Sequence, residues 1–124
     1  MNTKMKSSYK FLRVHQGLPR FAKITAASEP ADDWCIFLEP EIDELWIDAV
    51  ESGLRAAMAE QERLGARRFS ITASSLVWSP VDTTEDAVRC AATVAAWMSF
   101  GNDAALVCVR MDGPFWTVSF DPAV

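Results

Sequence analysis

The stretch Asp43–Phe100, DELWIDAVESGLRAAMAEQERLGARRFSITASSLVWSPVDTTEDAVRCAATVAAWMSF, decides the fold: it reads helix, strand, tight turn, helix. From Asp43 the apolar positions Ile47, Val50, Leu54, Ala57, Met58 and Leu64 recur largely at three-and-four spacing. Glu44, Asp48, Glu51, Arg55, Glu60 and Glu62 fall on the other face, so the spacing predicts an amphipathic helix. Asp43 is the expected N-cap, the acids of the first turns suit the helix dipole, and Gly65 stands where a left-handed C-terminal residue is wanted. Gly53 costs a helix interior about 1 kcal/mol relative to alanine, so something must offset it. Ala49, Gly53 and Ala57 recur every four residues, a ridge without side-chain bulk along which a neighbouring element can approach closely.

Arg67–Trp78 begins as a strand alternation, with Phe69, Ile71 and Ala73 on one face and Ser70, Thr72 and Ser74 on the other. Leu76 and Trp78 then put apolar groups on the polar phase, which predicts a bulge, twist or end near Ser74-Ser75. Beyond Pro80, Asp82 is the expected cap of a second helix and Glu85 its third residue, a capping-box arrangement. The face of that helix, Val88, Ala91, Ala92, Val94, Ala95 and Met98, is narrow and alanine-rich, and Gly101 can terminate it. Two helices with small-residue stripes can lie side by side on one sheet.

Upstream, Ser7–His15 is strand-like, Gln16-Gly17-Leu18-Pro19 breaks the run, and a second strand is expected from Phe21 to about Ser28. Trp34–Leu38 is apolar on both pleat faces, as expected of a strand covered on both sides. Downstream, Ala104–Met111 and Phe115–Phe120 form a predicted hairpin through Asp112-Gly113, in which Val109 faces Trp116, Val107 faces Val118 and Ala105 faces Phe120. Its reverse face holds Leu106, Cys108 and Phe115, so it needs cover from the domain itself or from a second copy. The expected class is α+β: one domain over residues 1–124, in βββαβα order with a C-terminal hairpin, two helices on one face of a mixed sheet.

The net charge of −5 conceals a division. Before Glu29 stand six bases and no acid; from Glu29 on, six arginines face all seventeen acids. Such a split means either a basic surface for a polyanion or two segments that neutralise each other once folded, and the second is the commoner outcome. Net acidity repels phosphate at long range, so no DNA partner is expected. No apolar run is long enough to span a membrane and MNTKMKSSYK has no signal-peptide core, so a cytoplasmic protein without membrane contact is expected. Cys35, Cys90 and Cys108 are read as buried reduced thiols, since they are odd in number, widely spaced and set in apolar stretches.

Ile47–Met58 resembles the first helix of domain IV of translation elongation factor G, with its alanine-valine pair, central glycine and alanine-methionine close. Gly65–Thr72 resembles the glycine and strand that follow, and Ser79–Val88 resembles that family's valine, aspartate, two serines and the opening of its second helix. The resemblance covers roughly residues 20–100. It implies a bacterial-type fold of the ribosomal protein S5 second-domain kind, a four-stranded mixed sheet with two helices on one side. It also implies an arm whose two tip loops contact ribosome and transfer RNA. Those tips correspond to Gln16–Arg20 and Ser75–Asp82, and both depart from the family: Ser79 replaces its histidine, Arg20 alone remains of its arginine-glycine-glutamine motif, and Val77-Trp78 replaces small polar residues.

Catalytic constellations are sparse. His15 is the only histidine, no glycine-flanked nucleophile serine occurs, and no cysteine or histidine spacing suits zinc. The acidic clusters Asp32-Asp33 and Glu39–Glu44 carry no calcium-loop pattern and are read as solvated. The expectation is a non-enzymatic, cofactor-free module that binds a protein or itself. The alternative is ribosome or RNA contact through a basic N-terminal hairpin, and a more distant one, resting on fold alone, is a small-molecule enzyme. The contact residues singled out are Lys10, Arg13, Arg20, Lys23, Trp78 and Ser79; Gly53, Asp82, Glu85 and Gly101 are assigned structural roles.

Overall fold

A computed structural model describes residues 4–120; the start of the N-terminal segment read above, residues 1–3, lies outside them. Strands β1 (Met5–His15), β2 (Leu18–Pro30) and β3 (Cys35–Leu38) precede helix α1 (Ile47–Arg63), strand β4 (Phe69–Val77), helix α2 (Glu85–Ser99) and the hairpin β5 (Cys108–Asp112) and β6 (Phe115–Ser119). The larger sheet has the order β1-β2-β4-β3; β3 and β4 run parallel and the other pairs antiparallel. The chain is therefore an α+β protein with a mixed sheet. Phe11, Ala22, Ile24, Ala26, Phe69, Ile71 and Ala73 are buried on the side of the sheet that the helices cover.

The helix contact rests on Gly53. A Cβ there would lie 2.4 Å from the Arg89 carbonyl oxygen and 2.7 Å from the Ala92 Cβ, so only glycine permits this approach. The Thr93 hydroxyl stands 2.9 Å from the Gly53 carbonyl and 2.8 Å from that of Arg89, and its one proton bridges the two helices at the point of closest contact. Ala49 and Ala57 are buried above and below, as the small-residue ridge requires.

The phase slip in β4 is a β-bulge. Lys23 pairs with Val77 and Thr25 with Ser74, so one extra β4 residue is accommodated at Ser75, whose φ is +56°. Ser75 donates its N–H to the Glu41 carboxylate, and beyond it Leu76 and Trp78 turn back to the core side. Gln16 and Gly17 both have positive φ and form a two-residue hairpin turn of the kind that matches strand twist. Leu18 and Pro19 consequently belong to β2, not to a longer break.

Several expectations need correction. Asp43 caps a 3₁₀ turn, Glu44–Trp46, that leads into α1. Asp82 does not cap α2, and Glu85 is its first residue, not its third. The reason is the preceding turn: the Asp82 carbonyl accepts from Phe21 N–H, and Thr83 donates its hydroxyl to the Phe21 carbonyl, so the segment is tied to β2 and the helix starts later, after Thr84. One side of β3 belongs to the helix-free face of the sheet, which leaves Cys35 and Phe37 exposed instead of covered. Cys108 is half-buried; only Cys90 is the buried thiol foreseen, and burial, with Asp86 nearby, pushes its pKa up to about 12.

The terminal hairpin is also re-registered. Val109 pairs with Val118 and Met111 with Trp116, two residues away from the expected register, because the turn sits at Gly113-Pro114 and Ala104–Leu106 is a 3₁₀ turn. A two-residue slip preserves side-chain parity, so Val109, Trp116 and Val118 still face the core. Cover from within the domain reaches one face only: Trp116 meets Phe11 edge-on at 5.6 Å and Phe120 meets Trp97 at 4.9 Å, while Leu106 and Phe115 on the reverse face stay exposed. Gly65 and Gly101 end their helices with φ of +68° and +91°.

Arg68 joins the entry to β3 to the end of α1 by pairing with Asp33 and Glu62, and Glu62 also accepts the Trp34 indole N–H at 3.0 Å. The Arg68 hydrogen bond, then that of Trp34, lowers the Glu62 pKa from 4.5 to about 2. Because the folded value is the depressed one, this contribution to stability is present above pH 4.5 and is lost as pH falls toward 2. The thermal midpoint is expected to drop through this window in the wild type and to drop less steeply in Glu62→Gln; equal slopes would refute the assignment. Gly53→Ala is expected to destabilise by about 2 kcal/mol in urea denaturation, since overpacking outweighs the gain in helix propensity.

Candidate functional site

Strand alternation separates the basic residues singled out in the N-terminal hairpin. Lys10 pairs with Lys23, and both lie on the face that carries no helix; Arg13 pairs with Arg20 on the opposite face, near the hairpin turn. The separation follows from parity, since residues three apart on a strand point to opposite faces. The four residues singled out therefore do not form one basic track: Lys10 and Lys23 lie on one face, Arg13 and Arg20 on the other.

The helix-free face is built in rows across the strands. Lys10, Lys23 and Val77 form one row, Ser8, Thr25 and Ser74 the next, and Lys6, Ala27, Thr72 and Phe37 a third, while Leu12 pairs with Phe21 and Val14 with Pro19. The centre is small and hydroxylated, with Ser8 and Thr25 hydroxyls 2.6 Å apart. Around it stand exposed apolar groups: Leu12 at 47%, Val14 at 64%, Val77 at 50% and Phe37 at 55%. Lys6, Lys10 and Lys23 are exposed and, among the described residues, none of the six N-terminal bases is in an ion pair. The two charge-segregated segments of the sequence thus do not neutralise each other by direct pairing. Lys10 directly opposite Lys23 is a repulsive cross-strand pair, an arrangement that folding alone does not favour.

On the other face, Arg13 lies over the Phe11 ring at 5.6 Å and donates to the Tyr9 hydroxyl at 3.2 Å. Arg20 donates to the Pro19 carbonyl and lines a hollow of about 320 Å³ with His15, Asp86 and Trp116. Asp86 is buried there with both oxygens engaged, one by the Thr84 hydroxyl and the other by the Trp116 N–H at 2.8 Å. This carboxylate fastens the terminal hairpin to the first turn of α2, a role that sequence reading missed because the two segments are distant in the chain. His15 is exposed and meets Trp116 edge-on at 6.3 Å.

The remaining two contact residues are placed elsewhere. Trp78 is half-buried and packs edge-to-face on Trp46 at 5.4 Å. Ser79 is a turn residue: its N–H donates to the Thr83 hydroxyl and its own hydroxyl accepts from Val81 N–H. Among the described residues no group of three or more histidine, cysteine or acidic side chains is placed to hold a metal ion, and no helix is long and apolar enough to cross a membrane.

No protein-family model matches the chain, and no curated protein matches it. In structure it is similar to the protein ttk003000868 from Thermus thermophilus, with a TM-score of 0.66 and 17% identity over 79% of this chain and 16% of that one. The chain therefore corresponds to a small part of a much longer protein, and a likeness at this identity establishes the fold.

Replacing Lys10 by glutamate turns the repulsive pair with Lys23 into an attractive one. Lys10→Glu is expected to raise stability by about 0.5 kcal/mol in chemical denaturation; a loss of stability would show that the lysine pair is not repulsive in the folded state.

Proposed function

We propose that this chain is a non-catalytic, cytoplasmic binding domain of the elongation factor G domain IV type, which docks an acidic and partly apolar protein surface on the helix-free face of its sheet. The motif blocks within Ile47–Val88 support the family reading, and the βββαβα order agrees with it. The observation that carries the docking reading is the open face itself: lysines without ion-pair partners, two of them, Lys10 and Lys23, directly opposed, and bordered by exposed Leu12, Val14 and Val77. Like charges set directly opposite each other are relieved when a partner supplies carboxylates between them.

A protein fits this face better than RNA. Its exposed apolar groups are mostly aliphatic, whereas single-stranded nucleic acid is held by aromatic stacking platforms. The tip residues with the stronger RNA chemistry, Arg13 and Arg20, point to the other side, and Trp78 packs against Trp46. A second copy packed face to face about a two-fold axis would bring one set of lysines near the other, which disfavours that form of self-association. The non-catalytic reading draws support from His15, which packs on Trp116, and from Asp86, whose oxygens are both engaged.

Affinity capture from the native cytosol compares the wild type with the double variant Lys10→Glu/Lys23→Glu. The expected result is a protein retained by the wild type, released by salt and lost with the variant, whether or not ribonuclease is added. Retention that vanishes on ribonuclease treatment would replace this reading with the RNA alternative, and retention indifferent to both lysines would overturn it.

A further inference from the structure

β3 pairs along one backbone edge with β4, from Cys35 opposite Ser70 to Leu38 opposite Ala73, and no strand of the described residues pairs with its other edge. Beside it, between β3 and α1, runs a groove of about 600 Å³. Ile36 and Leu38 from β3, Ile47 and Met58 from α1, and Trp34 line it, and all five are half-buried. Ile47, Glu51, Arg55 and Met58 are spaced four, four and three apart, so a single face of α1 supplies the whole helical wall. Glu51 and Arg55 add one charge of each sign, and neither is in an ion pair among the described residues. Trp34 is held by its hydrogen bond to Glu62 and by ring contacts with Phe69 at 6.2 Å and Phe100 at 5.4 Å.

An apolar groove alone does not specify its occupant, but a free strand edge does. The outward N–H and C=O groups of β3 call for complementary groups in the repeat of an extended backbone, which another strand supplies in order. A strand added there places every second side chain on the α1 side of the sheet, where Ile36 and Leu38 already alternate with exposed Cys35 and Phe37. The balanced Glu51 and Arg55 favour a peptide of low net charge over a polyanion. We propose that the β3–α1 groove binds an extended peptide segment of a partner protein as a fifth strand of the sheet. Its alternate apolar side chains seat against Ile36, Leu38, Ile47 and Met58. The groove lies on the α1 side of the sheet whereas the lysines stand on the opposite face of β1 and β2, and the inference stands independently of what docks on them.

The test selects a display library of random linear peptides against the full chain, then titrates a labelled synthetic copy of the most enriched peptide. The expected footprint, by amide chemical-shift change, covers Trp34–Leu38 and the α1 face from Ile47 to Met58. Methylating alternate backbone nitrogens of the peptide is expected to weaken binding about tenfold or more, because it removes ladder hydrogen bonds while keeping the side chains. Met58→Glu, with folding verified by circular dichroism, is expected to weaken it comparably. Arg55→Trp, an exposed site whose bulk obstructs the groove, does the same without touching the core. No enriched peptide, a footprint elsewhere, indifference to backbone methylation, or a dimer joined through β3 in light scattering would each overturn the proposal.

Discussion

The approach of Gly53 to the backbone of α2 is the constraint on which the rest of the structure depends. With the Arg89 carbonyl 2.4 Å from where a Cβ would be, the two helices are closer than any side chain at that site allows. This lets both of them sit over one narrow sheet, α2 above β1 and β2, and α1 beside it on the β3 side. Thr93 makes the contact specific, because its hydroxyl proton serves the Gly53 and Arg89 carbonyls at the meeting point. The helix-propensity cost of the glycine is thus offset by packing and by a hydrogen bond that a wider separation would break.

From that layer the remaining features follow by geometry. The sheet has one face for the helices, so the other is left to solvent or a partner. The bulge at Ser75 then decides which residues reach which side: it returns Leu76 and Trp78 to the core and leaves Val77 in the lysine row. Trp78 consequently meets Trp46 at the start of α1. A single left-handed residue converts what looked like a tip aromatic into part of the packing.

What was legible in the sequence was whatever depends on local pattern. The Ala49-Gly53-Ala57 ridge, the α1 periodicity, the phase slip in β4 and the terminating glycines Gly65 and Gly101 all reflect interactions within a few residues or along one face. What escaped depends on partners distant in the chain. Asp82 satisfies every local rule for a cap, yet its carbonyl is taken by Phe21 and the helix begins later. Asp86 is an ordinary first-turn acid until Trp116 arrives to bond it. The apolar run Trp34–Leu38 looks doubly covered because composition does not reveal that both helices lie on one side of the sheet, leaving Cys35 and Phe37 on the uncovered side. At the candidate site the signal was present but unread: Lys10 and Arg13, like Arg20 and Lys23, differ in parity, and alternation alone assigns them to opposite faces.

That parity bears on why the open face is built as it is. An uncovered sheet with exposed Leu12, Val14, Val77 and Phe37 risks indiscriminate stacking, and lysines on or near such strands are a common protection against it. Protection alone would be met by charges placed at the periphery. Instead Lys10 and Lys23 are in register at the centre of the hairpin, where their repulsion opposes pairing of the strands that carry them. The same placement discourages one copy from stacking on another and favours a surface that brings carboxylates. Protection against self-stacking and attraction for carboxylates therefore rest on the same two side chains.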